Sequence, residues 1–291
     1  MKIFHYFIRT IAIVWLSLAW SCNTERMTVS IEEQQATRPI GISLTLTAIL
    51  DPEGTSESIQ WTSCDPTVAT VKDGVVTTLS SGEVSIIAST EDGLSHDTCL
   101  FTVVTGCNGR EPAFGEDLGD VRFKSDRVWK IGNQEWSDVV TASNCSNRHT
   151  YDGGSSGNYY ADCRSNEGLG DLFSWCTVIR FQDEICPKGW RVPTENDFAT
   201  LDMTLGGMGT GTGSYVDTVS RDQYANIWGG LYGGYCGANG ERGGQDWGAY
   251  YWSQSERDAN YAYRLNFHLD GYVFSRGYLT KDSGFMMRCI R

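Results

Sequence analysis

The chain has 291 residues, of which 36 are Asp or Glu and 23 are Lys or Arg, so its formal net charge is −13 at pH 7. A field of this sign repels polyanions, and no cluster of Lys and Arg offsets it locally, which disfavours nucleic acid and anionic glycans as partners. Ten cysteines in one chain favour an oxidising compartment and structural disulfides.

The N-terminal segment has the pattern of a secretory signal peptide. Lys2 and Arg9 supply a positive start, and the apolar run over residues 11–20 is shorter than a membrane span. The following Ala19-Trp20-Ser21-Cys22 has the form of a lipobox. Residues 1–21 are therefore predicted to be a lipoprotein signal peptide and Cys22 to carry the lipid that holds the protein on the outer membrane, at the cell surface. An ordinary cleaved signal and an uncleaved anchor are the alternatives.

Residues 27–105 consist of short runs, several of them alternating in polarity, separated by turn residues. These runs cover residues 43–50, 59–62, 68–71, 75–79, 84–88 and 99–104. Period-two runs of this length predict a small β-sandwich. Two of its cysteines, Cys64 and Cys99, would either bridge the two sheets or remain as buried thiols.

Three segments of this region resemble the second group of bacterial Ig-like domains: residues 61–71, 74–76 and 82–88. In such a domain Trp61 would fill the core, and Gly74 and Gly82 would adopt the positive φ that tight hairpins need. The resemblance implies a spacer on a surface protein.

Composition changes after a junction at residues 106–116, and residues 117–291 form a loop-rich, aromatic second domain. Thr194 and Asp197 predict a capping box, and Phe198, Leu201 and Leu205 share one face of the helix that it would start. Predicted strands cover residues 128–131, 175–181, 249–253, 261–269, 272–274 and 285–290. One helix among several strands indicates an α+β domain.

Five motifs give this domain its resemblance. They occupy residues 130–136 (KIGNQEW), 170–175 (GDLFSW), 186–194 (CPKGWRVPT), 251–253 (YWS) and 288–291 (RCIR). In this order they resemble the Fibrobacter succinogenes major paralogous domain, a family of bacterial surface domains with a C-type-lectin-like character. Residues 137–140 depart from the family pattern, and residues 143–166, with two extra cysteines, look like an insertion.

The resemblance implies a fold and one disulfide. The chain is expected to be mainly β, with an N-terminal Ig-like β-sandwich followed by an α+β C-type-lectin-like domain with disulfides. The family pairs the cysteine of its C-P-x-G-W motif with the one near the C-terminus, which implies a bridge between Cys186 and Cys289. Pairings of the other cysteines stay open.

Catalytic signatures are missing from the sequence. His96, His149 and His268 stand outside any metal-binding motif, and no G-x-S-x-G nucleophile motif occurs. Glu111-Pro112-Ala113 lacks the amide that lectin calcium sites use. We therefore assign no catalytic residue, no metal ligand and no cofactor, and expect the protein not to be an enzyme.

Two aromatic segments, residues 228–235 and 246–252, place rings among glycines beside one acid. Sugar faces stack on such rings while carboxylates accept hydroxyl protons, and the same rings anchor protein interfaces. The competing interpretation of each ring is core packing. The ligand-binding candidates are Tyr232, Asp246, Trp247 and Tyr250, and the two expected to be exposed are Trp247 and Tyr232.

These features together predict a lipid-anchored surface protein whose Ig-like spacer presents a recognition domain. Its partners would be the membrane, through the lipid on Cys22, and an extracellular glycan or a surface protein of host or bacterium. One alternative is a structural subunit of a surface layer or fimbria-like assembly. The other is an enzyme of the sulfatase-modifying fold, whose cysteine pair cannot be identified here.

Overall fold

The computed structural model describes residues 26–54, 57–106, 118–145, 163–210, 218–237 and 240–291. Side chains are described throughout these ranges except at residues 163–164 and 218–221. The predicted signal peptide and Cys22, the predicted lipidation site, lie outside the described residues, as does most of the predicted insertion.

The N-terminal domain is built from nine strands: β1 (Thr28–Ile31), β2 (Gln35–Pro39), β3 (Ser43–Thr45), β4 (Ala48–Asp51), β5 (Gln60–Ser63), β6 (Ala69–Lys72), β7 (Val75–Thr78), β8 (Gly82–Ser89) and β9 (His96–Val104). A four-stranded sheet has the order β2-β9-β8-β5, a three-stranded sheet has the order β3-β7-β6, and β1 pairs with β4. Only β2 and β9 pair in parallel among the described strands of this domain. Inward-facing residues of both sheets share one core, which confirms the predicted sandwich.

The β6–β7 turn explains one of the predicted glycines. Gly74 has φ +80°, and a Cβ there would lie 2.9 Å from the Leu46 carbonyl oxygen and 3.4 Å from the Trp61 ring. Trp61 is partly buried and packs against the core beside this turn. Cys99 is a buried thiol, but Cys64 is an exposed one, so the two do not bridge the sheets.

The second domain contains strands β10 (Val121–Phe123), β11 (Trp129–Ile131), β12 (Gln134–Trp136), β13 (Val140–Ala142), β14 (Cys163–Arg164) and β15 (Leu172–Ser174), helices α1 (Trp175–Arg180), α2 (Gln182–Ile185), α3 (Glu195–Thr204) and α4 (Thr218–Asn226), and strands β16 (Gly233–Cys236), β17 (Arg242–Gln245), β18 (Gly248–Glu256), β19 (Tyr261–His268), β20 (Val273–Thr280) and β21 (Gly284–Phe285). A five-stranded sheet has the order β14-β15-β21-β16-β17, and an antiparallel three-stranded sheet has the order β18-β19-β20. The predicted α+β class is confirmed.

The predicted helix after Pro193 is present as α3. The Thr194 side chain accepts from the Asp197 backbone N–H, and the Asp197 carboxylate accepts from the Thr194 N–H, which makes the capping box reciprocal. Phe198 and Leu201 are buried on the face that the spacing predicts.

One predicted strand is wrong. Most of residues 175–181 form helix α1 (Trp175–Arg180), and the Ser174 hydroxyl caps it by accepting from the Thr177 N–H at 3.1 Å. Every residue from Trp175 to Ile179 is buried, so this run is enclosed on all sides and lacks the period that separates helix from strand. The strand predicted over residues 285–290 is also shorter than expected, because only Gly284–Phe285 is regular and Ile290 forms isolated bridges to Trp136 and Arg191.

A disulfide joins the C-terminal segment to the domain. Cys186 and Cys289 are bonded, with their Cα atoms 5.6 Å apart, as the family resemblance implied. Cys145 and Cys176 are also disulfide-bonded. Next to Cys289, Arg288 is buried between the rings of Trp129 and Trp228. The chain end is thus tied into the core.

Polar contacts join the two domains. Arg38 of β2 donates from Nη2 to both carboxylate oxygens of Asp183, at 2.8 and 2.7 Å. At the other side of the junction, the Thr105 backbone N–H donates to Glu256 Oε2 at 2.9 Å. Arg38 is almost fully buried, so its pairing with Asp183 connects the sandwich to the first turn of α2.

Candidate functional site

The β18–β19–β20 sheet has two different faces. Tyr251, Leu265 and Phe267 point to a face that we call the core face, where they are completely buried. Side chains alternate along a strand, so their neighbours Tyr250, Asn266 and His268 point the other way, to what we call the site face. The register places Gly248 opposite His268, Tyr250 opposite Asn266 and Trp252 opposite Arg264.

Four rings form an aromatic surface at one end of the site face: Trp247, His268, Tyr250 and Tyr235. The ring centroids of Trp247 and His268 are 4.3 Å apart, those of His268 and Tyr250 are 5.4 Å apart, and those of Tyr250 and Tyr235 are 5.3 Å apart. The inner rings, His268 and Tyr250, are largely covered, whereas the end rings are exposed, Trp247 by 44% and Tyr235 by 36%. The cluster therefore holds one indole and one phenol ring at the surface.

Backbone hydrogen bonds fix the position of Trp247 in the turn between β17 and β18. Its N–H donates to the Gly244 carbonyl at 3.2 Å, and its carbonyl accepts from the Leu269 N–H at 3.0 Å. The preceding residue, Asp246, has φ +60° and is exposed. The exposed indole is thus held by its own backbone as well as by the His268 ring.

Glycines leave room for the rings of the aromatic surface. A Cβ at Gly248 would lie 2.8 Å from Tyr250 Cε2 and 3.2 Å from His268 Cδ2. A Cβ at Gly243 would lie 2.8 Å from the Tyr235 hydroxyl oxygen. Any larger residue at these two positions would displace a ring, which gives the glycine-flanked aromatic pattern a steric reason.

A row of polar side chains continues from the aromatic surface along β19: His268, Asn266 and Arg264, which we call the polar row. The Asn266 amide nitrogen lies 3.0 Å from His268 Nε2. Asn266 Oδ1 and Arg264 Nε and Nη1 are enclosed and have no hydrogen-bond partner within the described residues. The row therefore places a guanidinium and an amide with unsatisfied polar atoms beside the aromatic surface.

Burial sets the protonation of this region. It lowers the pKa of His268, and the Arg264 charge acts in the same direction while Asp270 opposes it, so the ring is neutral at pH 7. A neutral ring leaves Nε2 able to accept from the Asn266 amide. Burial also raises the pKa of Tyr250, which remains a neutral phenol.

Three of the four sequence-predicted ligand candidates meet at this end of the sheet. Trp247 is exposed, as expected, Asp246 precedes it in the same turn, and Tyr250 is nearby but buried. Tyr232 is placed differently: it is partly buried, and its ring packs on Phe267, 5.3 Å between centroids, on the core face. Its carbonyl accepts from the Asp246 N–H at 2.8 Å, which connects it to the turn.

Sequence reasoning missed Tyr235 and the polar row. Arg264, Asn266 and His268 alternate within a predicted strand. This spacing could have indicated the polar row, because a period of two places all three side chains on one face. In the part of the chain that the structure describes, no three His, Cys, Asp or Glu side chains group as metal ligands. No described helix is long and apolar enough to cross a membrane.

Comparisons with known proteins match both parts of the chain. The model of the Fibrobacter succinogenes major domain matches residues 129–291, which is more than half of the chain. The model of the bacterial Ig-like domain (group 2) matches residues 27–100. No curated protein matches the chain.

Two crystal structures of S-layer proteins are weakly similar. Domains 4 and 5 of the S-layer protein SbsC align with 20% identity and a TM-score of 0.24 over 26% of this chain and 51% of that chain. The S-layer protein rSbsC(31-844) aligns with 18% identity and a TM-score of 0.25 over 40% of this chain and 16% of that chain. This chain spans about half the length of the first structure and less of the second.

Proposed function

Because the chain belongs to the Fibrobacter succinogenes major domain family through residues 129–291, we propose that it is a bacterial surface protein that recognises a saccharide with its second domain. The aromatic surface and the polar row form the binding site. The proposed activity is binding without catalysis.

The observation that carries this proposal is the placement of Trp247. Its indole is 44% exposed, yet the ring packs against His268 with 4.3 Å between centroids, and the Trp247 backbone N–H and carbonyl are both hydrogen-bonded. An exposed ring that is already ordered loses little conformational entropy on binding. The apolar face of a sugar ring is a partner that such an indole can cover.

Besides an apolar ring, sugar recognition requires polar groups, and these lie beside Trp247. Hydroxyl groups need donors and acceptors at fixed positions, and the polar row and Asp246 provide both kinds within the same end of the sheet. Arg264 and Asn266 extend from a strand, which holds such groups more precisely than a loop does.

We further propose that the lipid on Cys22 anchors the protein to the outer membrane with the second domain outward. The Ig-like domain then serves as the spacer. Arg38 and Asp183, together with Thr105 and Glu256, give this spacer contacts with the second domain on two sides. This arrangement suits a protein that binds ligands at the cell surface.

A glycan array probed with the chain from residue 23 onward tests the proposal. We expect binding to a defined set of saccharides and at least a tenfold loss, on the order of one good contact, in a Trp247→Ala variant. Tyr278→Ala is the matched control, since Tyr278 is also 44% exposed but lies at the other end of β20. Equal losses in both variants, or no binding by a folded wild type, would refute saccharide recognition at Trp247.

A further inference from the structure

Arg264 has no polar partner within the described residues, although it is partly enclosed. Within the described residues it forms neither a hydrogen bond nor an ion pair, and its Nε and Nη1 atoms are enclosed. Its guanidinium lies near two rings, 5.2 Å from the centroid of Tyr250 and 5.6 Å from that of Phe285. Of its three nitrogens, Nη2 is the one that is not enclosed.

Removing a guanidinium from water without a counter-ion is costly, and ring contacts recover part of that cost. The burial lowers the pKa of Arg264 to about 10, so the group still carries its charge at pH 7. The chain has 36 acidic residues, but none of those that the structure describes lies against this cation. An anionic group would be a suitable partner for this cation, and it would contact Arg264 at the open Nη2 atom.

A second unpartnered group borders the same space. The Asn266 carbonyl oxygen is enclosed without a donor, and both it and Arg264 Nη1 lie within 3.3 Å of the position that a Cβ at Gly277 would occupy. Gly277 is not among the positive-φ glycines, and a Cβ there would be crowded by Asn266, Phe274 and Arg264, so the glycine lets these side chains pack against β20. The unsatisfied atoms of Asn266 and Arg264 therefore lie close together beside this strand.

We propose that the saccharide bound at the aromatic surface carries a carboxylate and that Arg264 pairs with this carboxylate. This inference rests on the proposed function, since it names the chemical class of the ligand of that same site. The sugar unit that carries the carboxylate would lie at Arg264 and a neighbouring unit would cover Trp247, because the polar row runs over four strand residues, about 13 Å, which is more than one sugar ring spans. A carboxylate would accept a charge-assisted hydrogen bond from the open Nη2, and such a bond is stronger than the one that a neutral hydroxyl accepts.

Charges at the opposite end orient such a ligand. Asp270 lies 3.9 Å from His268 Nδ1, and Asp246 precedes Trp247, so acidic groups stand beside the aromatic end rather than beside Arg264. The net charge of −13 repels polyanions at long range, whereas one carboxylate in contact with an enclosed cation is screened far less. Sugars with a single carboxylate are therefore favoured over multiply charged glycans.

Matched sugar pairs test the inference on the chain from residue 23 onward. Each pair differs only in its carboxylate: glucuronate with glucose, galacturonate with galactose, mannuronate with mannose, and N-acetylneuraminate with its carboxyl-reduced form. We expect the acidic member of at least one pair to bind about tenfold or more tightly than the neutral member, as a charge-assisted hydrogen-bonded pair gives. Arg264→Gln should abolish this difference, and Arg264→Lys should retain part of it.

Arg257→Gln is the control for a general effect of charge, because Arg257 stacks on Tyr278 at the far end of the sheet. Thermal unfolding of each variant shows whether the fold is kept, and the Lys variant preserves a test if the Gln variant does not fold. Equal binding within every pair, or equal losses in the Arg264 and Arg257 variants, would overturn the carboxylate inference and leave saccharide recognition standing. No binding to any pair or to the glycan array would overturn both.

Discussion

The core face and the site face of the β18–β20 sheet differ in how their polar side chains are hydrogen-bonded. On the core face, the Tyr251 hydroxyl accepts from the Leu231 N–H at 2.7 Å and donates to the Leu231 carbonyl at 3.2 Å. On the site face, Arg264 and Asn266 keep enclosed polar atoms without partners. Trp228 Nε1 on the core face is enclosed without a partner as well, so the contrast lies in charge: within the described residues Arg264 forms neither a hydrogen bond nor an ion pair, whereas buried polar groups are normally satisfied.

The largest effect should come from truncating a ring of the core face. Phe267 is completely buried and packs on Tyr224 and Tyr251, so Phe267→Ala should lower the free energy of unfolding by about 3–5 kcal/mol. Trp247→Ala, on the exposed end of the site face, should lower it by less than about 1 kcal/mol. Urea unfolding measures both, and similar losses would mean that Trp247 is a structural ring.

A second comparison concerns two arginines. Arg288 donates from Nε to the Ser137 carbonyl at 2.6 Å and from Nη1 to the Trp228 carbonyl at 2.5 Å. Arg288→Met would leave both buried carbonyls without a donor and should cost about 2–4 kcal/mol of unfolding free energy. Arg264→Met removes no hydrogen bond and should change stability by less than about 1 kcal/mol, in either direction.

Chemical denaturation of the two Met variants beside the wild type measures this contrast. A large loss for Arg264→Met would show that its ring contacts with Tyr250 and Phe285 hold the fold. In that case Arg264 would belong with Arg288 as a structural residue, and the two faces would no longer differ in this respect.

The smallest effect should appear as a pH dependence of stability at His268. Its folded-state pKa is lowered below the ordinary value of 6.5, mainly by burial, so the unfolded chain binds the proton first as the pH falls. Stability should therefore decrease from about pH 6.5 downward until the folded-state pKa is passed. Urea unfolding at pH values across this window should show a shallower decrease for His268→Gln, which stays neutral. An identical slope in both proteins would contradict a depressed pKa.

Local signals in the sequence were sufficient for some elements and insufficient for others. The capping box of α3 is encoded within four residues, Thr194 to Asp197, and the structure forms it as predicted. Helix α1 could not be predicted in this way, because its burial on every side comes from tertiary packing and removes the periodic signal. The Cys186–Cys289 bridge came from family resemblance rather than from spacing.

The candidate site shows the same limit. Asp246 and Trp247 share a turn and could be found from composition, but which of Tyr232 and Tyr250 joins them depends on the alternation of side chains between two sheet faces. The polar row is visible as a period-two pattern in β19. That Arg264 lacks a counter-ion is a property of the folded molecule alone, because it depends on where every acidic residue lies.

The parallel pairing of β2 with β9 bears on how the protein would respond to tension. Five residue pairs join these strands, from Gln35 opposite Leu100 to Pro39 opposite Val104, and the second domain follows the end of β9. A pull between the N-terminal end of β2 and the second domain would act along both strands in opposite directions. The hydrogen bonds between them would then carry the load together, in shear, instead of opening one after another from an end. A domain attached in this way should resist mechanical extension before it unfolds.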